Sequence, residues 1–285
     1  MQLESNYPLK RLCTFGVGGV AKYFAVALNA TEMQNTLKHC LENDLHFVII
    51  GKGSNVLFDD RGFNGVVIHN KIDFCLEPTP GTFYVGAGMS FSRLGTYTAK
   101  KGWSGLEFAS GIPGSVGGAV FMNAGSGGSE TADTLVSCEY INFDGTLTSH
   151  SRDELHFDYR HSPYQQKKGA IISATFRLSS SPTAKQDQRE LITYRTKTQP
   201  LSAKSAGCIF RNPTGGSAGQ LIEQCNLKGE RIGDAQVSDI HSNFIVNLGN
   251  AKATEITTLV AHVKSTVKSQ TGVDLKEEVR YIPYE

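Results

Sequence analysis

The spacing of apolar residues along the chain predicts three helices. Thr31-x-x-Gln34 is a capping pattern typical of a helix N-terminus. Apolar residues recur at helical spacing beside it, at Met33, Leu37, Cys40 and Leu41. The clearest repeat stops at Gly272 and consists of Ile256, Leu259, Val260, Val263 and Val267. A shorter repeat stops near Gly229 and consists of Ala218, Leu221, Ile222 and Cys225.

Short apolar runs predict strands between these helices. The runs are Phe47–Ile50, Val56–Phe58, Val66–Ile68, Phe83–Val85, Tyr140–Asn142, Ala170–Ile172 and a last strand Val273–Ile282. From this order we expect three lobes: a mixed α/β lobe at 1–65, a β-rich lobe at 66–195 and an α/β lobe at 196–285. The polar stretch Ser179–Gln188 is typical of a linker.

Charge and hydropathy exclude several classes of protein. The chain of 285 residues has 28 Lys and Arg against 27 Asp and Glu, spread along its length, which disfavours a nucleic-acid groove. The longest apolar run, Tyr23–Leu28, is far shorter than the ~18 residues of a membrane span, so we expect no membrane partner. Residues 1–10 contain no apolar signal-peptide core, and we expect a cytoplasmic protein.

Cysteine and histidine positions predict no metal site. The six cysteines are scattered without a C-x-x-C pair, which fits reduced thiols better than a zinc site or a disulfide framework. No pair among the eight histidines has the spacing of metal ligands.

Glycine is the positive signal in the composition, at 30 of 285 residues. This excess over the usual ~7% indicates loops whose backbone approaches something closely. Gly16-Val-Gly18-Gly-Val-Ala21 matches the spacing G-x-G-x-x-A, but a strand-like run follows it where a Rossmann fold needs a helix. The sequence therefore disfavours a Rossmann dinucleotide site here.

Two further glycine loops are candidates for binding an anion. Gly51-Lys-Gly-Ser-Asn55 follows a good strand and is either a tight turn or an anion-binding nest. The stretch from Ser110 to Gly125 is dense in glycine and contains no lysine or arginine. It is either a backbone cradle for a pyrophosphate or a cluster of turns in a β-rich lobe.

Three single residues carry possible chemistry: Arg160, Cys208 and Glu278. Taken alone, each also has an ordinary interpretation, because a lone arginine is usually solvated and a lone cysteine is usually a small buried apolar group. Period-two counting along the last strand places Glu278 on the polar face with Lys276 and Arg280, which is either solvent or a cleft.

Taken together, the motifs resemble the UDP-N-acetylenolpyruvoylglucosamine reductase family over nearly the whole chain. The modest length resembles the shorter, type II branch of that family. The segments that carry the resemblance are Thr14–Gly19, Gly51–Asn55, Ser110–Asn123, Tyr159–Ser162, Cys208–Pro213, Ala218–Ile222, Leu227–Gly229, Ser238–His241 and Glu278–Arg280.

The resemblance implies an α+β, three-lobed flavoenzyme. Two lobes would form a vanillyl-alcohol-oxidase-type (PCMH-type) FAD-binding fold, and a C-terminal α/β lobe would bind substrate. FAD is implied to be noncovalent and held by turns rather than by a helix N-terminus. The implied flavin contacts are Gly51, Gly53, Ser54, Asn55, Pro113, Gly114, Ser115, Gly117 and Asn123.

The resemblance also implies a reaction in which NADPH reduces FAD and hydride then passes to the enolpyruvyl ether of UDP-N-acetylglucosamine. The product would be UDP-N-acetylmuramate, a peptidoglycan precursor. Arg160 matches the family arginine that stabilises enolate-like charge, and Glu278 matches the glutamate that assists it. Substrate contacts are implied for Tyr159, Lys197, Arg211 and Asn212.

Cys208 departs from the family pattern, because most relatives have a serine at this position as the proton donor. A thiol with the ordinary pKa of ~8.5 is mostly protonated near neutrality, so a cysteine is chemically able to donate the proton. Two other functions stay open: a flavin oxidase of the same fold, and a protein that binds flavin or nucleotide sugar without turnover. In each case we expect a monomer whose partners are small molecules.

Overall fold

Six α-helices lie within residues 3–284, the part of the chain described by this computed structural model. They are α1 Ala30–Glu42, α2 Phe91–Lys100, α3 Val116–Met122, α4 Ala184–Thr198, α5 Ala218–Gln224 and α6 Ala253–Thr271. Helices α1, α5 and α6 confirm the three helices that apolar spacing predicts. Gly272 ends α6 in a left-handed conformation with φ 75°, which glycine adopts without steric cost.

Within the same residues, strands form six sheets or pairs. The strands are β1 Glu4–Pro8, β2 Val20–Ala27, β3 Phe47–Ile50, β4 Val56–Phe58, β5 Gly62–Asn70, β6 Cys75–Thr79, β7 Thr82–Gly86, β8 Trp103–Ser104, β9 Gly125–Ser126, β10 Ser129–Glu130, β11 Leu135–Asn142, β12 Leu147–Ser151, β13 Gly169–Arg177, β14 Ser179–Ser180, β15 Arg231–Ile232, β16 Ala235–Val237, β17 Ile245–Asn247 and β18 Arg280–Ile282. Every short apolar run predicted to be a strand before residue 173 lies in one of them. Because β2 begins at Val20, the glycine motif at 16–21 leads into a strand, as expected.

The strand orders are β1-β2-β5-β3, β12-β11-β13-β7-β6 and β15-β16-β17, and the pairs are β9/β10, β8/β14 and β4/β18. The chain divides into two compact units. Tyr23–Lys52 and Gly65–Tyr194 make up most of the first, with the N-terminal residues up to Ser5. Asn6–Lys22, Gly53–Asn64 and the residues from Arg195 onward make up the second.

The first unit is built on the five-stranded antiparallel sheet, whose two faces are both covered. Residues of α1 that include Met33 and Leu37 are fully buried with Ile141 and Ile172 on one face. On the other face, α2 and α3 bury Leu94 and Val120 among aromatic residues of the sheet that include Phe83 and Phe176. Successive strand side chains point to opposite faces, so one sheet supports two cores.

The second unit contains the three-stranded sheet with α6 packed against it. Four α6 residues at helical spacing are at most 1% exposed: Ile256, Leu259, Val263 and Val267. Ala235 and Val237 of β16 are equally buried. Strand β18 pairs in parallel with β4, which brings the end of the chain beside residues 56–58.

Helix α1 begins earlier than the Thr31-x-x-Gln34 pattern predicts. Asn29 is the N-cap, and its side chain accepts a 2.9 Å hydrogen bond from the Glu32 amide. Glu32 in turn accepts from the Leu28 amide at 2.8 Å. The capping residue is therefore Asn29, whose side chain is the one that accepts from a first-turn amide, and asparagine is among the best residues for this role.

The predicted last strand, 273–282, is wrong over most of its length, because only Arg280–Ile282 form β18. Before it, the backbone of 276–278 bonds to the segment 209–211 instead: Arg211 donates to Lys276 at 2.8 Å and Glu278 donates to Ile209 at 2.7 Å. The period-two pattern fails as a result: it would place Tyr281 on the apolar face, opposite Arg280 and Glu278, but Tyr281 is 46% exposed.

The polar stretch predicted to be a linker is only partly one, because α4 begins within it at Ala184. Ala184 and Gln188 are both buried, at 0% and 5% exposure, which anchors the start of this otherwise polar helix. Across residues 3–284, no helix has the length and apolar character that crossing a membrane would require.

Candidate active site

The glycine segment 110–123 lies in the first unit and ends in helix α3. Ser115 is the N-cap, and its hydroxyl accepts from the Gly118 amide at 3.2 Å. The amides of Gly114, Val116 and Gly117 donate to backbone carbonyls at 2.8–2.9 Å. The segment is thus neither a pure turn cluster nor an uninterrupted row of available amides, because a helix begins inside it and these amides are bonded within the protein.

Two glycines of the first unit permit close packing between loops. A Cβ atom added to Gly51 would lie 1.9 Å from the Ser115 hydroxyl oxygen. The 51–52 loop and the 110–118 segment therefore pack so closely that residue 51 has no room for a side chain. A Cβ atom on Gly117 would lie 2.9 Å from the Cβ of Ala87. Gly117 therefore serves packing against the protein itself, in addition to any contact with a ligand.

His69 supports the same loop and is a residue that the sequence motifs do not indicate. It lies on β5 opposite Ile50, and its imidazole hydrogen-bonds to the backbone of Gly51. Burial, together with the charges of Lys71 and Lys52, lowers the pKa of His69 to about 4, so the imidazole is neutral at pH 7. A buried histidine in a strand gives no local signal of this role.

The glycine loop Gly51–Asn55 is divided between the units, and its residues Gly53–Asn55 belong to the second one. Gly53 has φ 63°, and a Cβ there would lie 1.8 Å from the Leu12 carbonyl oxygen, so both backbone strain and lack of space require glycine. The Thr14 amide donates to the Gly53 carbonyl at 3.0 Å. Ser54 is half-buried. Asn55 donates its side-chain amide to the Glu278 carbonyl at 3.1 Å.

Arg160 occupies the tip of a tight turn in the first unit. Asp158 and His161 exchange backbone hydrogen bonds of 3.2 and 2.9 Å, which leaves Tyr159 and Arg160 as the two central residues. Arg160 has φ 54°, a left-handed conformation that is uncommon for arginine. Its guanidinium donates to the Gly125 carbonyl at 2.8 Å and lies 4.8 Å from the centre of the Tyr159 ring. Tyr159 and Arg160 are therefore presented together.

Asn123 lies at the end of α3 with its side chain completely buried. Both ends of its amide group bond to backbone, to the Asp158 carbonyl and to the Ala132 amide, each at 3.0 Å. The structure therefore gives this side chain a protein partner at each end, and the flavin contact predicted for Asn123 stays a prediction.

Cys208 lies in the second unit, half-buried, at the start of an extended segment held by Asn243. The Ile209 amide donates to the Asn243 carbonyl at 2.8 Å, and the Phe210 amide donates to the Asn243 side chain at 3.0 Å. Asn243 returns a 2.8 Å bond to the Phe210 carbonyl. This buried asparagine, missed by motif reasoning, fixes the backbone beside Cys208.

Glu278 is carried by the neighbouring segment of the same unit. Its amide donates to the Ile209 carbonyl at 2.7 Å, so the backbones that bear Cys208 and Glu278 are joined one residue from the cysteine. After Glu278 the chain enters β18, where the Tyr281 hydroxyl donates to Asp59 at 2.6 Å. Arg61 also bonds to Asp59, at 2.8 and 3.0 Å. This cluster anchors the strand that follows Glu278.

The residues predicted to contact substrate are placed differently from one another. In the second unit, Nε of Arg211 is buried and has no hydrogen-bond partner within residues 3–284, which is uncommon for a polar group. Asn212 is exposed, and its side-chain oxygen accepts from the Ala218 amide at 3.0 Å at the start of α5. Lys197 is exposed near the end of α4.

Each unit, taken by itself, contains candidate groups that favour binding of an anionic organic ligand. Arginine, hydroxyl and amide groups recognise phosphate and carboxylate, and a thiol and a carboxylate are groups that transfer protons. Within the described part of the chain, no cluster of three or more His, Cys, Asp or Glu has the arrangement of a metal site.

Two family models match the chain. One is described as an FAD binding domain and matches residues 21–151. The other is described as the C-terminal domain of UDP-N-acetylenolpyruvoylglucosamine reductase and matches residues 199–282.

Similar proteins cover the whole length. The UDP-N-acetylenolpyruvoylglucosamine reductase of Protochlamydia amoebophila is 55% identical over 285 residues, covering 100% of this chain and 95% of that protein. The enzyme of the same name from Chlamydia muridarum is 47% identical, covering 99% of this chain and 95% of the relative. The crystal structure of the Thermus caldophilus reductase is 36% identical with a TM-score of 0.85, covering 99% of this chain and 100% of that one. These matches confirm the predicted α+β flavoenzyme fold.

Proposed function

Because this chain belongs to the UDP-N-acetylenolpyruvoylglucosamine reductase family, we infer that it reduces the enolpyruvyl ether of UDP-N-acetylglucosamine to UDP-N-acetylmuramate for peptidoglycan synthesis. The observation that carries this function is the 55% identity to a reductase of that name over the entire chain. FAD is the cofactor and NADPH the reductant.

The residues of the two glycine loops fit FAD. The contact of Gly51 with Ser115 leaves no room for a Cβ atom, so a ligand at these loops meets backbone and small polar groups. We assign flavin binding to Gly51, Gly53, Ser54, Asn55, Pro113, Gly114, Ser115 and Gly117, with Asn123 as a backbone contact. Bound FAD supplies hydride transfer from NADPH to the substrate.

Arg160 is assigned to the charge that develops on the substrate. When hydride reaches the methylene carbon, enolate-like charge grows on the carboxylate side, and a guanidinium stabilises such charge best when it is already oriented. The turn, the Gly125 carbonyl and the Tyr159 ring hold Arg160 in place before substrate arrives. Glu278 is assigned to orient the same carboxylate or to share a proton with it.

Cys208 is assigned as the proton donor. Its Sγ–H gives a proton to the carbon next to the one that receives hydride, which completes addition of two hydrogens across the double bond. Support comes from its half-burial and from the rigid backbone that Asn243 provides beside it. Four residues are assigned to the nucleotide sugar: Arg211, Asn212, Lys197 and Tyr159.

We further propose that the protein is a cytoplasmic monomer with three functional lobes at 1–65, 66–195 and 196–285. The matches at 21–151 and 199–282 support a boundary between flavin-binding and substrate-binding parts near residue 196. Sedimentation of the holoenzyme would test the monomer.

The function is tested by an anaerobic cycle with the purified holoenzyme. NADPH should bleach the flavin, the enolpyruvyl nucleotide sugar should restore its colour, and the recovered sugar should have gained two hydrogens by mass. Flavin that NADPH does not bleach would indicate a binding protein. Reduced flavin that reacts with oxygen but not with the nucleotide sugar would indicate an oxidase, and either result would overturn the proposal.

A further inference from the structure

Asn123 occupies a position that few other residues tolerate. It ends helix α3 with φ 43° and ψ 56°, a left-handed conformation that asparagine adopts more readily than most side chains. Its exposure is 0%, so its amide group must find partners inside the protein.

The two ends of this amide join two separate elements. Nδ2 donates to the carbonyl of Asp158, the first residue of the turn that carries Arg160, at 3.0 Å. Oδ1 accepts from the Ala132 amide at 3.0 Å. Ala132 is the second residue after the β9/β10 hairpin. The base of the hairpin is also held by Thr131, which donates from its amide and its hydroxyl to the Ala124 carbonyl at 2.9 and 2.7 Å.

Both of these elements hold Arg160. The turn fixes its backbone in a strained, left-handed conformation, which persists only where the surroundings impose it. The hairpin supplies the Gly125 carbonyl that accepts from its guanidinium at 2.8 Å. The Asn123 side chain therefore links the turn that holds the Arg160 backbone to the hairpin that holds the Arg160 guanidinium.

We propose that Asn123 is a positioning residue that sets the orientation of Arg160 for the substrate half-reaction. The expected effect on the half-reactions rests on the function proposed above. The link that Asn123 makes between the turn and the hairpin does not depend on that function. Charge stabilisation depends on an already oriented donor, so loosening either support should slow the chemistry that uses Arg160 while leaving other steps intact.

Two variants and one matched control test the proposal. Asn123→Gly keeps the left-handed backbone and removes both bonds, and Asn123→Asp keeps the shape but cannot donate to Asp158. The control is Asn70→Asp in the same unit, because Asn70 is 5% exposed and also bonds backbone at both ends, to Ile171 at 2.9 Å and Ile72 at 3.2 Å.

In stopped-flow measurements on FAD-loaded protein, reoxidation by the enolpyruvyl substrate should slow at least about tenfold in both Asn123 variants, and by a larger factor than reduction by NADPH. The Asn70 control should not separate the half-reactions. In combination with Arg160→Ala, Asn123→Gly should slow reoxidation no further than Arg160→Ala alone, within about twofold, because both act through one group. If the double variant slows reoxidation by the product of the two separate factors, or if both half-reactions slow equally, the proposal is wrong.

Hydrogen exchange followed by mass spectrometry provides a readout that needs no turnover. Asn123→Gly should increase exchange in peptides covering 124–132 and 158–165 together, with α1 unchanged. If only one of the two peptides responds, Asn123 does not link them and the proposal fails. A wild-type flavin that the nucleotide sugar does not reoxidise would instead refute the proposed function, and the exchange result would still decide whether Asn123 links the turn and the hairpin.

Discussion

Asn55 donates its side-chain amide to the backbone carbonyl of Glu278 over 3.1 Å, although 223 positions separate the two residues. The bond is supported by a second one, in which the Arg280 amide donates to the Asn55 carbonyl, also at 3.1 Å. With the Ile209 carbonyl accepting from the Glu278 amide at 2.7 Å, the backbone of Glu278 is bonded on both sides. The carboxylate assigned to the reaction thus projects from a fixed base.

The Tyr281–Asp59 bond should stabilise the end of the chain in a pH-dependent manner. The Arg61 guanidinium, aided by Tyr281, holds the pKa of the Asp59 carboxyl well below its usual range, and the bond to Asp59 raises the pKa of Tyr281 to about 12. A raised tyrosine pKa contributes stability below the ordinary value of ~10 that is lost as the pH rises toward the folded value.

Tyr281→Phe should therefore lower the free energy of unfolding by about 1 kcal/mol at pH 7, since the tyrosine is partly exposed. The difference from the natural protein should shrink in urea titrations above pH ~10. Tyr284→Phe is the matched control, because Tyr284 contacts Arg61 through its ring, 5.3 Å from the guanidinium carbon. A difference that stays constant to high pH would show that the Asp59 bond is not the cause.

His69 should make the first unit less stable in mild acid. Its pKa of about 4 lies below the ordinary ~6.5, so the unfolded chain takes up a proton between these values and the folded chain does not. Stability should fall as the pH drops from about 6.5 to 4, by an amount on the order of 1 kcal/mol at pH 5 after allowance for partial exposure. Urea unfolding at pH 7.5 and 5.0 should show a smaller loss for His69→Gln, and equal losses would contradict this account.

Gly51→Ala should weaken FAD binding by about tenfold or more. The new Cβ would lie only 1.9 Å from the Ser115 hydroxyl oxygen, so one of the two loops would have to move. Fluorescence titration of the apoprotein with FAD measures the effect. Gly249→Ala is the control, since a Cβ there would have its nearest neighbour at 3.7 Å. Unchanged FAD affinity in Gly51→Ala would show that these loops do not hold the flavin.

Arg160→Ala and Glu278→Gln should separate the two half-reactions. Reduction by NADPH should stay near the natural rate, whereas reoxidation by the enolpyruvyl substrate should slow by about a hundredfold, the usual cost of losing one charged stabiliser. The exposed Arg177, replaced by alanine, controls for loss of a positive charge in the first unit. Loss of the NADPH step alone would show that the assigned roles are wrong.

Local periodicity is sufficient to predict helix α6, because its buried side chains repeat at helical spacing and Gly272 ends it. It is insufficient for β18, because the residues before it bond to 209–211, a pairing that no local pattern encodes. The N-cap of α1 is also beyond the sequence pattern, since Asn29 and Thr31 are both acceptable capping residues and only the structure shows that Asn29 accepts the first-turn amide.

In the candidate site too, local sequence patterns indicate some residues and miss those that act through long-range contacts. Motifs indicate Arg160, Cys208 and Glu278, to which we assign the chemistry. They do not indicate Asn243, which bonds to the backbone beside Cys208, or the Tyr281–Asp59 bond, which anchors the strand after Glu278. Nor do they indicate His69, which supports Gly51. Such supporting residues are polar groups whose partners are distant in sequence. Only the folded chain shows where their hydrogen bonds go.

The assignment of Cys208 as proton donor is tested most directly by single-turnover reoxidation of flavin that NADPH has reduced anaerobically. Cys208→Ser should react with the enolpyruvyl substrate within about tenfold of the natural rate, because a hydroxyl replaces the thiol as the acid. Cys208→Ala should accept electrons from NADPH normally but reoxidise at least roughly a hundredfold more slowly, since no positioned acid remains. Reoxidation of Cys208→Ala at the natural rate would contradict the account and leave Cys208 as a packing residue only.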